Sequence, residues 1–123
     1  METGRKGVIT VYGLRNCDTC RKARKWLAEE GIEHRFHDVR ADGLDRTTLT
    51  GWVAALGWAT LLNRRGTTWR QLPESDRGEP TPASATELML AHPALIKRPV
   101  FDLGGEYLVG FSKSEMAALR RAA

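Results

Sequence analysis

Hydrophobic and polar positions recur with two different periods along this chain, and the changes of period mark out its elements. The apolar run Val8-Ile9-Thr10-Val11-Tyr12, within residues 7–12, predicts a buried strand. From Asp18 to Glu30, the residues Ala23, Trp26, Leu27 and Glu30 fall near helical spacing and Gly31 stops the run, which predicts a helix. Ile32 to Val39 predicts a second strand, with Ile32, His34 and Phe36 sharing a face. After the turn at Asp42-Gly43, Asp45 suits the N-cap of a helix that reaches Leu56 and closes at Gly57.

The pattern then loosens. Residues 58–72 hold Leu61-Leu62 followed by the polar stretch Asn63 to Trp69, which reads as a loop or a broken helix. Glu79-Pro80-Thr81-Pro82 cannot continue a helix. Ser84 with Glu87 reads as a capping box that opens a short helix through Ala91, followed by Pro93. Arg98 to Leu103 and Glu106 to Phe111 predict antiparallel strands joined by the two-residue turn Gly104-Gly105. Ser112 with Glu115 is a second capping box, opening the C-terminal helix. The order is β-α-β, a helical insertion at about residues 44–92, then β-β-α. An α/β fold of thioredoxin type follows from this order once a Cys-x-x-Cys is found after the first strand.

A length of 123 residues fits one domain, 1–123, and 41% apolar with 28% charged residues is ordinary for a globular chain. The start, Met1 to Lys6, carries no apolar signal region, and no run approaches the roughly 20 apolar residues of a membrane helix. A cytoplasmic monomer is expected. A cysteine pair in that compartment is more often catalytic, redox-sensing or metal-binding than a staple. The formal charge of +4 suits anionic partners such as glutathione, an oxyanion, nucleic acid or an acidic protein surface, or simply a solvated arginine-rich surface.

The chemistry concentrates at Asn16-Cys17-Asp18-Thr19-Cys20, which holds both cysteines of the chain at the joint of strand and helix. A helix N-terminus offers partial positive charge and N–H groups without intrahelical partners, and both favour the reactive thiolate. Arg21 and Lys22 add positive charge. Cys17, at the N-cap side, reads as the attacking thiol and Cys20, one turn on, as the resolving one; two inert buried cysteines are the plain alternative. Zinc is a sharper rival, since His34 and His37 follow. The gap between these histidines is shorter than a zinc finger needs, and a strand would turn them to opposite faces, so no metal is expected. Arg98-Pro99 opens the third strand, where a cis bond would turn Arg98 toward the thiol turn. Arg64 and Arg65 form a second cationic cluster suited to carboxylates or oxyanions. The basic run Arg21, Lys22, Arg24, Lys25 has little aromatic interleaving and reads as a positive helix face rather than a nucleic-acid footprint.

These residues resemble the ArsC/Spx/YffB family of thioredoxin-fold proteins from about Val8 to the C-terminal helix. The resemblance is carried by Tyr12 to Thr19, Lys22 to Leu27, Phe36-His37-Asp38, Asp42-Gly43-Leu44, Leu61-Leu62-Asn63, Arg65 to Arg70, His92-Pro93, Ile96 to Val100 and Val109-Gly110-Phe111. It is strongest toward the YffB branch, and it implies a glutathione-dependent thiol–disulfide oxidoreductase. On that reading Cys17 is the nucleophile and Cys20 assists it. Asn16, Arg64, Arg65, Arg98 and Pro99 would meet the substrate, with Pro99 as the family's cis-proline. Glutathione would be the co-substrate, with no bound cofactor, and glutaredoxin a further partner. Glutaredoxin-coupled arsenate reduction is a rival on the same framework. However, the family's other two oxyanion arginines fall at Asn63 and Gly110 here. A redox-sensing regulator of Spx type, which binds the RNA polymerase α-subunit, is a second rival suggested by the cysteine pair.

Overall fold

Four short strands and two helices surround the cysteine turn in the computed structural model, which describes residues 8–123. The chain divides into two compact units, one running to Asp42 and resuming at Arg98, the other Gly43–Lys97.

In the first unit the predicted order is realised as β1 (Ile9–Gly13), α1 (Asp18–Glu29), β2 (His34–Asp38), β3 (Val100–Asp102), β4 (Tyr107–Val109) and α6 (Lys113–Ala122). The sheet order is β2-β1-β3-β4. β1 runs parallel to β2, with Ile9 opposite His34 and Gly13 opposite Asp38, and antiparallel to β3. The helical crossover α1 makes the parallel pair possible, because parallel neighbours cannot be joined by a tight turn. Ile9 and Val11 lie on the buried face and pack with Ala23 and Leu27 of α1, Ile32, Phe101 and Leu119 of α6. Each such large aliphatic or aromatic side chain contributes roughly 1.5–3 kcal/mol by leaving water. Trp26 meets Phe111 edge-on at 5.6 Å, and Glu30 accepts from Arg120 at 2.8 Å, tying α1 to α6. The hairpin turns on Gly104 and Gly105, both at positive φ (91° and 108°), where Asp102 accepts the Gly104 N–H at 2.8 Å.

The second unit is helical: α2 (Arg46–Leu56), α3 (Trp58–Leu61), α4 (Thr67–Arg70) and α5 (Pro82–Ala91), with 3₁₀ turns at Glu74–Asp76 and Pro93–Leu95. Asp45 caps α2 by accepting the Thr48 N–H at 2.8 Å. The broken helix expected over 58–72 is α3 and α4, split by the polar loop that begins at Asn63. One expectation is corrected. The capping box of α5 is Thr81 with Ser84, not Ser84 with Glu87, and the helix begins at Pro82. Proline at the first helical position costs nothing, since its missing N–H would have had no intrahelical partner. Glu87 instead pairs with Arg46 on α2. The unit closes with a bridge between Leu62 and Ile96 and a hydrogen bond from Lys97 N–H to the Leu61 carbonyl at 2.7 Å. No helix among the described residues is long and apolar enough to cross a membrane.

Candidate active site

β1 ends at Gly13 and the chain turns at once into α1, with the Cys17 N–H donating to the Leu14 carbonyl at 3.2 Å. Cys17 is the N-cap residue of α1, in extended conformation, and its carbonyl accepts the first intrahelical bond, from Arg21 at 3.0 Å. Its side chain makes no capping hydrogen bond of ordinary geometry, yet the Cys20 backbone N–H lies near enough to favour its thiolate. Cys17 is half-buried and Cys20 fully buried.

Burial alone would push the Cys17 thiol up. The Cys20 N–H, the Cys20 thiol, and hydrogen bonding and charge from Arg98 outweigh it, and the net shift is downward. Cys20 moves the other way, to about 11, through burial and then the neighbouring Cys17 sulfur, against a backbone contribution from Leu14 and the charge of Arg98. The two environments favour the thiolate at Cys17 and the protonated thiol at Cys20. Gly13 makes this packing possible: a Cβ there would lie 2.4 Å from the Cys20 sulfur.

Arg98 favours the Cys17 thiolate from just before β3, and the Arg98–Pro99 peptide is cis. Pro99 is buried, and its carbonyl accepts the Gly110 N–H at 2.8 Å, which ties it to the end of β4.

The turn before Cys17 is held by a residue whose part the sequence reading did not assign. Asp38, at the end of β2, is 6% exposed. One carboxylate oxygen accepts the Arg15 N–H at 3.0 Å and the other accepts the N–H groups of Arg40 and Ala41 at 2.8 Å each. Burial pushes this carboxyl up, but the three N–H groups and the charge of Arg15 bring it below the usual carboxylate range. Beside it, Val39 N–H donates to the Gly13 carbonyl at 2.9 Å. Asp38 thus fastens the cysteine turn to the end of β2. An aspartate closing a strand, followed by turn residues, is the signal that could have revealed it.

Of the residues selected from sequence, the structure brings together Cys17, Cys20, Arg98 and Pro99. Asn16 is exposed in the same turn. Arg64 and Arg65 belong to the second unit. Arg64 lies 5.7 Å from the ring of Trp58 and 6.0 Å from that of Trp69. Arg65 is exposed, its N–H donating to Asn63 and its carbonyl accepting from Arg70. His34 and His37 sit on opposite faces of β2. His34 bonds the Ile32 carbonyl, and His37 meets the Tyr12 ring at 5.0 Å. No group of three or more His, Cys, Asp or Glu gathers among the described residues.

Comparison with known proteins places this geometry. The model of the ArsC family matches residues 12–119. An uncharacterized protein of Haemophilus influenzae is 46% identical over 111 residues, spanning 90% of this chain and 97% of its own. The solved structure of a YffB protein is 49% identical, covers 91% of this chain and 98% of its own, and superposes with a TM-score of 0.86. An arsenate reductase (ArsC) related protein from Brucella melitensis is 46% identical, covers 94% and 97%, and gives a TM-score of 0.76.

Proposed function

This chain belongs to the ArsC family, whose arsenate reductase-like fold supports a thiol-dependent redox role, and from that premise we propose that it is a glutathione-dependent thiol–disulfide oxidoreductase with Cys17 as nucleophile. The observation that carries the reading is the cysteine pair at the start of α1, where Cys17 is the N-cap residue and Arg98 favours its thiolate. In the first step the Cys17 thiolate attacks a glutathionyl disulfide, GS–SR. A Cys17–SG bond forms, the S–S bond of the substrate breaks, and RS⁻ leaves with the electron pair and takes a proton from solvent. In the second step a glutathione thiolate attacks the glutathionyl sulfur, so that GSSG leaves and the Cys17 thiolate is regenerated. Alternatively Cys20, after losing its proton, attacks the Cys17 sulfur, GS⁻ leaves, and two glutathione thiols then reduce the Cys17–Cys20 disulfide and depart as GSSG. Once Cys17 carries glutathione its negative charge is gone. One of the causes that hold the Cys20 thiol up is removed with it.

Arsenate is the less supported substrate. Asn63 uses its side-chain oxygen to accept the Arg65 N–H at 3.1 Å, and Gly110 has φ of 92°, a conformation an arginine adopts only with strain.

The test is steady-state reduction of a glutathione mixed disulfide, coupled to glutathione reductase, for the wild type and for Cys17→Ser and Cys20→Ser. Turnover lost only in Cys17→Ser indicates a monothiol cycle, and loss in both a dithiol cycle. A wild type that forms the Cys17–Cys20 disulfide but turns over no substrate would be a redox switch and would sink the proposal. Anion recognition falls first to Arg98. The part of Arg64 and Arg65 is read in the same assay with Arg64→Ala and Arg65→Ala.

A further inference from the structure

A cavity of about 210 Å³ opens beside the nucleophile turn, lined by Leu14, Arg15, Asn16, Asp38, Arg40 and Ala41. Three of these residues immediately precede Cys17; Asp38 ends β2, and Arg40 and Ala41 follow it. Its charge is one-sided in effect. The single carboxylate, Asp38, is buried and spends both oxygens on three backbone N–H groups. Arg15 and Arg40 contribute to the Asp38 clamp through their main chains, and both residues are exposed. The Arg15 main chain is fixed a second time, since its carbonyl accepts from the Arg21 guanidinium at 3.1 Å. The lining therefore includes two exposed cationic residues on a main chain held in place, and Asn16, also in the lining, stands between Arg15 and Cys17 in the chain. The volume is too small for a whole drug-sized ligand, which takes roughly 300–1,000 Å³, but holds one carboxylate-bearing end group.

We infer that this cavity is a carboxylate subsite, in which Arg15 and Arg40 hold a terminal carboxylate of the glutathionyl group while its sulfur meets Cys17. The inference rests on the glutathione reading and specifies where that substrate is gripped. Guanidinium groups suit this task because their donors match the two oxygens of a carboxylate. No bond is made or broken in the subsite; it orients the disulfide, and the transfer at Cys17 is the one balanced above.

S-methylglutathione tests it, because this probe carries both glutathione carboxylates and no reactive sulfur. It should protect Cys17 from alkylation by iodoacetamide, and the concentration giving half protection should rise about fivefold for each arginine replaced in Arg15→Gln and Arg40→Gln, as expected for an exposed ion pair. Arg15→Lys and Arg40→Lys keep the charge and should recover part of the loss, which a merely structural role would not predict. Because the Asp38 bonds come from the main chain, all four variants retain its three hydrogen bonds, and only Arg15→Gln also removes a charge that favours the carboxylate. No protection in the wild type, or protection that ignores the arginines, overturns the subsite. Arginine-dependent protection without turnover of a glutathione mixed disulfide leaves the subsite standing and removes the reductase reading instead.

Discussion

The sulfur of Cys20 rests against the main chain of Gly13, so close that a Cβ on that residue would stand 2.4 Å from it and 3.3 Å from the Cys20 Cβ. Gly13 is the last residue of β1 and Cys20 lies on the first turn of α1, so the contact sets how closely the helix approaches the strand. Gly13→Ala should cost about 1–3 kcal/mol, the usual range for overpacking a filled core. It should also slow alkylation of Cys17 at neutral pH by displacing the Cys20 thiol that donates to it. Thermal melts and iodoacetamide kinetics on Gly13→Ala, with and without Cys20→Ala, check this. The double variant should regain part of the lost stability, and a simple sum of the two effects would show that the contact is not the cause.

The pKa values of the two thiols should be displaced in opposite directions. Alkylation of Cys17 should rise with pH through a midpoint below the ~8.5 of an ordinary cysteine. Arg98→Ala should move that midpoint upward, since it removes a hydrogen bond and a positive charge from the thiolate, and should raise KM for glutathione as well. Cys20 should resist alkylation until far higher pH, its thiol being held up to about 11. The signs for stability follow. The depressed Cys17 contributes stability present above its unfolded pKa and lost as pH falls through its folded value. The raised Cys20 contributes stability present below its unfolded pKa and lost as pH climbs from about 8.5 toward about 11. Mass-resolved alkylation of each cysteine between pH 5 and pH 11 gives both midpoints; equal midpoints would contradict the assignment of nucleophile and partner.

Asp38 is a positioning residue, acting on Cys17 through the Arg15 main chain. Asp38→Asn cannot satisfy all three N–H groups, since one side-chain oxygen becomes a donor facing a donor. A loss of about 1–3 kcal/mol is expected from the unmet buried groups, with kcat falling more than KM. The folded pKa of Asp38 is depressed, so its contribution is present above the unfolded value near 3.9 and is lost as pH falls through the folded value. Denaturant melts should therefore show wild type and variant far apart at pH 7 and converging in acid. A gap that persists unchanged at low pH would mean that the carboxylate charge is not what holds the turn.

Most of the fold was legible because its signals are local. The apolar run of β1, the stop at Gly31, the cap at Asp45 and the Gly104-Gly105 turn are each read within a few residues. What escaped depends on residues distant in the chain. The Arg15 N–H meets a carboxylate 23 residues away, and Glu87 turns from its own helix to Arg46, 41 residues away. The start of α5 was misplaced for a related reason: two candidate boxes overlap at Ser84, and only the structure shows which partner it takes. Thr81 and Ser84 cap each other, with N–H to oxygen distances of 2.8 and 3.0 Å. Thr81→Ala should accordingly cost about 1 kcal/mol, whereas losing the exposed ion pair in Glu87→Gln should cost less than that. Equal costs in parallel melts would restore the Ser84–Glu87 reading.

The end of β4 bears on which substrate the framework can take. At Gly110, where an arsenate-reducing relative of this family would carry an arginine, the chain turns through φ of 92° and its N–H donates to the carbonyl of Pro99, next to Arg98. A side chain there is strained by roughly 1–2 kcal/mol relative to glycine, whatever space surrounds it. Gly110→Arg should therefore lower stability by about that amount, and it should disturb the residue that supports Arg98 rather than add a productive oxyanion ligand. The expected outcome is a lower melting temperature, slower alkylation of Cys17 and no arsenate-dependent NADPH consumption with glutathione and glutaredoxin. Arsenate turnover appearing in this single variant would show that the conformation of the strand end does not stand in the way of arsenate as a substrate.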